Sequence, residues 1–147
     1  MEKMKLLDRV PIIGEVYLMK FTRHGAGRNC WRPGVVLQNN IGNANSPNII
    51  AVPLTNAIKK VNQPTHVVVY AADTELLRDS MALCEKPETI EKESIGKYVT
   101  TLSCTYMKEI AIASSIATAA IAYLSVGELI KVRREAIRLN QKITSNW

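Results

Sequence analysis

The sequence predicts a β-dominated α+β domain, a small barrel or strongly bent sheet followed by helices. Six apolar runs of five to seven residues, separated by Gly, Asn and Pro, fill the first two-thirds of the chain, the spacing of short antiparallel strands. Helical periodicity replaces them in the last third. The composition, 47% hydrophobic and 22% charged over 147 residues, is that of one globular core and excludes a disordered, collagenous or coiled-coil chain.

Gly14 to Lys20 (GEVYLMK) alternates apolar and polar residues and reads as a half-buried first strand. Arg23 to Cys30 is rich in Gly and Arg, and a loop is expected there. Pro33 to Gln38 (PGVVLQ) is the second strand, ended by the turn-rich NNIGNANSPN. Asn48 to Leu54 is the third. Pro53 within it lacks a ladder donor, which favours an edge or a bulge. His66–Tyr70, Ser80–Cys84 and Tyr98–Leu102 complete the strands.

Ser103 is the expected N-cap of a first helix reaching about Leu124. Ser125-Val126-Gly127-Glu128 has capping-box spacing and opens a second, basic helix. The domain therefore divides into a main body, residues 1–124, and a basic helical extension, 125–147. Between Glu109 and Glu128 an uncharged run approaches the ~20 residues that span a bilayer. Its Ala, Ser and Thr transfer poorly into lipid, and Ile112, Ile116, Ala120, Tyr123 and Leu124 form one stripe. A packed or dimer-facing helix is expected, and no membrane span. Met1 to Arg9 is charged throughout, so no secretory signal is expected.

The 19 Lys and Arg against 13 Asp and Glu give a net charge of +6, which suits an acidic partner such as nucleic acid or an acidic protein. Cys30, Cys84 and Cys104 are odd in number and widely spaced, so neither a disulfide framework nor a structural zinc site is expected, and a reducing cytoplasm fits. His24 and His66 have no neighbouring ligands at metal spacing. No nucleophile elbow, P-loop or dinucleotide fingerprint is present. No cofactor or metal is therefore expected, and any catalysis falls to Arg, Thr, Asn, Gln, His and Glu side chains.

Trp31-Arg32-Pro33-Gly34-Val35-Val36-Leu37-Gln38-Asn39-Asn40-Ile41-Gly42-Asn43 and Ser46-Pro47 closely resemble the MazF/PemK toxins of bacterial toxin–antitoxin systems. Val52-Pro53-Leu54-Thr55, Lys59-Lys60, Gln63-Pro64-Thr65-His66-Val67 and Arg78-Asp79-Ser80 continue the resemblance in order, and Gly14-Glu15-Val16-Tyr17 resembles the family's first strand. The likeness covers roughly residues 14 to 124. It implies an SH3-like barrel with C-terminal helices and a homodimer. It also implies a metal-independent endoribonuclease that cuts single-stranded mRNA, and a cognate acidic antitoxin.

The resemblance also assigns residues. Arg32 matches the family's catalytic arginine and Thr55 its catalytic threonine, while Glu85 matches an acidic residue that contacts a base. Pro64 and His66 match the loop bordering the RNA groove, and Trp31 and Lys59 are further RNA-binding candidates. An arginine stays protonated and grips phosphate oxygens with a fork of donors. Arg32 thus reads as a clamp on the transition state, and Thr55 as a hydrogen-bond donor to a phosphate oxygen. Many relatives carry a carboxylate and a glutamine in the loop before the arginine. Here residues 23–30 hold no carboxylate, so either activity is attenuated or His24 supplies the proton acceptor.

Without the resemblance, the same residues have ordinary readings. Arg32 is then a surface ion-pair partner, Thr55 a strand terminator bonded to its own backbone, His66 a satisfied structural histidine and Trp31 a packing residue. Lys131, Arg133, Arg134, Arg138 and Lys142 read as a solvated helix face. Two alternatives to the ribonuclease follow: a gyrase-poisoning toxin of the same fold, or a catalytically attenuated module binding RNA or antitoxin.

Overall fold

A hairpin opens the fold. In the computed structural model, which describes residues 9–23 and 28–141, β1 (Glu15–Arg23) pairs antiparallel with β2 (Arg28–Val36), from Val16↔Val35 to Arg23↔Arg28. Both strands extend into the predicted loop. Once Val16 and Val35 set the register, backbone groups pair onward whatever the polarity of their side chains. His24 lies outside the described residues.

The expected turn after β2 contains a short helix, α1 (Asn40–Asn45). Asn39 caps it, its side chain accepting from the Gly42 N–H at 2.9 Å, and the buried Asn43 amide donates back to the Gln38 carbonyl at 2.9 Å. β3 (Asn48–Thr55) is central rather than an edge strand. On one side it pairs with β2 through Gly34↔Pro53, and on the other with β6 (Glu88–Glu91) up to Ala51 and with β5 (Ser80–Leu83) from Leu54. Pro53 falls in the break between those two partners, where a missing donor costs no ladder bond. β6 escapes the sequence because only Ile90 of its four residues is buried. β4 (His66–Val69) pairs with β5, and β7 (Ile95–Thr101) with β1.

The resulting order is β4-β5-β3-β2-β1-β7, with β6 beside β3. The sheet is strongly bent but not closed, since β4 and β7 are not paired. Segment 70–79 bridges toward the open side, where the buried Thr100 hydroxyl of β7 donates to the Glu75 carboxylate and accepts from the Glu75 N–H at 3.4 Å. Both faces are apolar. Tyr17, Met19, Phe21, Val36, Ile49, Ile90 and Ile95 fill one cluster. Val16, Val35, Val52, Leu54, Val67 and Val69 form the other, covered by Ile110 and Ala113 of α2 (Cys104–Thr118).

Ser103 caps α2 as expected, accepting from the Tyr106 N–H at 3.3 Å. The helix stops six residues earlier than predicted, at Thr118. Ala119 turns left-handed (φ 56°) and a 3₁₀ turn, Ala120–Tyr123, follows. Past Ala113 the sequence offers no large residue to the core, so the helix loses its footing. The predicted stripe is not the face that packs. Tyr106, Ile110 and Ala113 meet the sheet, while Ile112, Ile116 and Tyr123 stand exposed. The capping box closes both ways at α3 (Val126–Gln141), with Ser125 N–H to Glu128 Oε1 at 2.9 Å and Glu128 N–H to Ser125 Oγ at 3.1 Å. None of α3 is buried. Asn140 holds it to α1, accepting from the Asn40 N–H (3.1 Å) and from its side-chain amide (3.2 Å). Among the described residues no helix is long and apolar enough to cross a membrane.

Candidate functional site

Arg32 on β2 and Thr55 at the end of β3 come from neighbouring strands and line one groove of about 690 Å³. Trp31, the residue before Arg32, joins them, and Ser80 of β5 and Lys97 and Tyr98 of β7 continue the wall. Segment 75–78 supplies Glu75 and Arg78. The groove thus gathers three cations (Arg32, Arg78 and Lys97) against one carboxylate, with two partly exposed aromatic rings, Trp31 and Tyr98. A chain of phosphates needs that charge balance, and unstacked bases need such rings.

The Arg32 guanidinium makes one weak contact, donating to Cys30 Sγ at 3.7 Å. Thr55 Oγ1 accepts from the Ala57 N–H at 3.1 Å. This is the strand-ending bond of the ordinary reading, yet it uses only a lone pair and leaves the hydroxyl proton to donate. The bond is compatible with either reading of Thr55.

The remaining predicted residues gather elsewhere. Pro64 and His66 line a separate cavity of about 830 Å³ between β4 and α2. Glu85 Oε2 lies 2.7 Å from His66 Nε2 and accepts from Gln63 Nε2 at 3.1 Å, while His66 Nδ1 sits 3.1 Å from the Lys60 carbonyl. The Glu85–His66 pair therefore fixes the loop from Lys60 to His66, and each nitrogen of the His66 ring has a partner, as the ordinary reading expects. Lys59 is exposed and lines neither of these two cavities. Among the described residues no group of three or more His, Cys, Asp or Glu is placed to hold a metal.

Sequence reasoning gave no role to Glu75, Arg78, Lys97 or Tyr98. Arg78 sat inside a recognised block, so its signal was present. The other three reach the groove only through the bend of the sheet, which no local spacing encodes.

Residues 13–116 match the family model described as PemK-like, MazF-like toxin of type II toxin–antitoxin system. The chain belongs to this family. It is 36% identical over 98 residues to Endoribonuclease MazF of Staphylococcus saprophyticus, an alignment covering 66% of this chain and 82% of the relative. The Staphylococcus epidermidis protein of the same name is 35% identical over the same shares. A mycobacterial endoribonuclease solved with its cognate antitoxin superposes with a TM-score of 0.62 at 25% identity, covering 75% of this chain and 96% of that one. MazF from Deinococcus radiodurans, at 19% identity and a TM-score of 0.65 over 76% of this chain and 99% of its own, shares the fold. The matched span contains every groove residue and stops short of α3.

Proposed function

We propose that this toxin is an endoribonuclease that cleaves single-stranded mRNA through the RNA's own 2′-OH. The observation that carries the reading is the convergence of Arg32 and Thr55 in one cation-lined groove. Arg32 grips the non-bridging phosphate oxygens with its fork of donors and gains strength as charge builds there. Thr55 donates a further hydrogen bond to the same phosphate. Arg78 and Lys97 track flanking phosphates, and Trp31 and Tyr98 stack on splayed bases.

The naming of both staphylococcal relatives as endoribonucleases supports RNA cleavage over gyrase poisoning. A cognate antitoxin is the expected partner, supported by the mycobacterial complex, and the +6 charge suits an acidic one. Homodimerisation and a cytoplasmic location complete the reading, the latter supported by the free Cys30, Cys84 and Cys104. Residues 1–124 form the toxin domain and 125–147 a basic extension of it.

The test is cleavage of a long unstructured RNA in excess EDTA. Discrete cuts ending in 2′,3′-cyclic phosphate are expected, falling about 10²–10³-fold in rate in Arg32→Ala. Tight, salt-dependent RNA binding by folded protein without any cut would instead establish the attenuated binding module.

A further inference from the structure

The groove contains a group placed for a role that Arg32 and Thr55 leave open. Transesterification through the 2′-OH needs a proton acceptor. Arginine does not deprotonate, and the Thr55 hydroxyl is a donor whose oxygen already accepts from Ala57. Segment 23–30, between β1 and β2, carries no carboxylate. Glu75 is the only carboxylate among the residues lining the Arg32–Thr55 groove, and it arrives from the segment bridging the open side of the sheet.

We propose that Glu75 is the general base of the reaction, a catalytic residue supplied from segment 75–78 rather than from the loop ahead of Arg32. This rests on the ribonuclease reading. The carboxylate is held from behind. Thr100, buried on β7, donates its hydroxyl to Glu75 Oε2 while accepting from the Glu75 backbone N–H at 3.4 Å. One contact holds the carboxylate and the other the Glu75 backbone, both on a strand residue, and Oε1 is left for the substrate. The charged groups sharing the groove are Arg32 on β2, Arg78 on the same segment and Lys97 on β7. All are cations, and they attract the phosphate oxygens of a bound RNA. They thus hold a phosphodiester close to Glu75 despite its like charge.

The step balances as an in-line transfer. Glu75 takes the 2′-OH proton and O2′ attacks phosphorus. The P–O5′ bond breaks with its electron pair on O5′, which takes a proton from water in the groove. The products are a 2′,3′-cyclic phosphate and a 5′-OH, and Glu75 returns its proton to solvent.

The experiment compares wild type, Glu75→Gln, Glu75→Asp and His24→Ala, cutting one RNA across a range of pH, with thermal unfolding confirming that each is folded. Glu75→Gln is expected to lower kcat about 10²–10⁴-fold, with KM unchanged or lower because a like charge has gone. The acidic limb of the kcat profile should disappear in Glu75→Gln and persist in Glu75→Asp at partial activity. If wild type cuts and Glu75→Gln cuts at the same rate with the same limb, the proposal falls while the ribonuclease reading stands. A change in the bases at the cut with kcat retained makes Glu75 a specificity contact and likewise overturns it. Loss of the limb in His24→Ala alone gives the base to His24. A folded wild type that cuts nothing defeats the ribonuclease reading itself.

Discussion

Cys84 directly follows β5 and packs between the sheet and α2, and burial pushes its thiol up to about 11. The neutral thiol is a small hydrophobe in that place, whereas the thiolate would be a charge without water. The folded chain therefore holds this proton more tightly than the unfolded chain does. The stabilisation is complete below the ordinary thiol range and is lost as pH rises from there toward 11. Unfolding midpoints in urea are expected to fall over that window, and to fall less in Cys84→Ala measured against its own neutral-pH value. Labelling gives an independent reading, because only the thiolate alkylates. At pH 8 iodoacetamide followed by mass spectrometry should modify exposed Cys104 at least tenfold faster than Cys84. Equal rates would mean that α2 does not stay docked on the sheet.

Six of the seven strand cores were legible in the sequence, because short apolar runs such as Val16–Met19 and His66–Val69 mark a strand meeting a core, although β1 is buried on both faces rather than half-buried. The ends were not. β1 and β2 pair on through Thr22↔Asn29 because a ladder is bound by backbone, which side-chain patterning does not report. Four-residue β6, with one buried position, has no pattern to read. Arg32 and Thr55 were found through their blocks, whereas Glu75 and Lys97 enter the groove by tertiary bending alone. Glycine shows the same division. Gly34 is visible as part of the Arg32-Pro33-Gly34 block within β2, but its reason lies across the sheet. A Cβ there would sit 2.6 Å from Phe21 Cζ and 2.8 Å from Met19 Sδ, both core side chains of β1. One added methyl must push this packed pair aside. Gly34→Ala is therefore expected to destabilise by about 1–3 kcal/mol, read as a lower urea midpoint at unchanged slope. Because Gly34 lies two residues from Arg32, RNA cleavage should fall with it even where the protein remains folded.

At the scale of the molecule the unfinished surface is helical. α2 seats Tyr106, Ile110 and Ala113 on the sheet and turns Ile112 and Ile116 outward, at 56% and 49% exposure. Ile121, Tyr123 (92% exposed) and Val126 carry apolar surface onward toward α3. Isolated exposed apolar residues are ordinary, but a run of large ones on one helix and its continuation marks a surface that another chain covers. Small residues at Ala117, Ala119 and Ala120 place no bulk between that surface and a neighbour. A second copy approaching by two-fold symmetry would set the stripe against itself, in the isologous contact that closes a dimer. Sedimentation of the wild-type chain is therefore expected to give twice the monomer mass. The double substitution Ile112→Asp with Ile116→Asp should give the monomer mass, since it buries opposed carboxylates at the seam. Neither side chain supports the core of its own chain, so the variant should keep its urea midpoint when compared at monomer concentrations. A wild-type chain that sediments as a monomer at micromolar concentration would leave the helical face to the antitoxin instead. The apolar run would then shift in hydrogen exchange only when antitoxin is added.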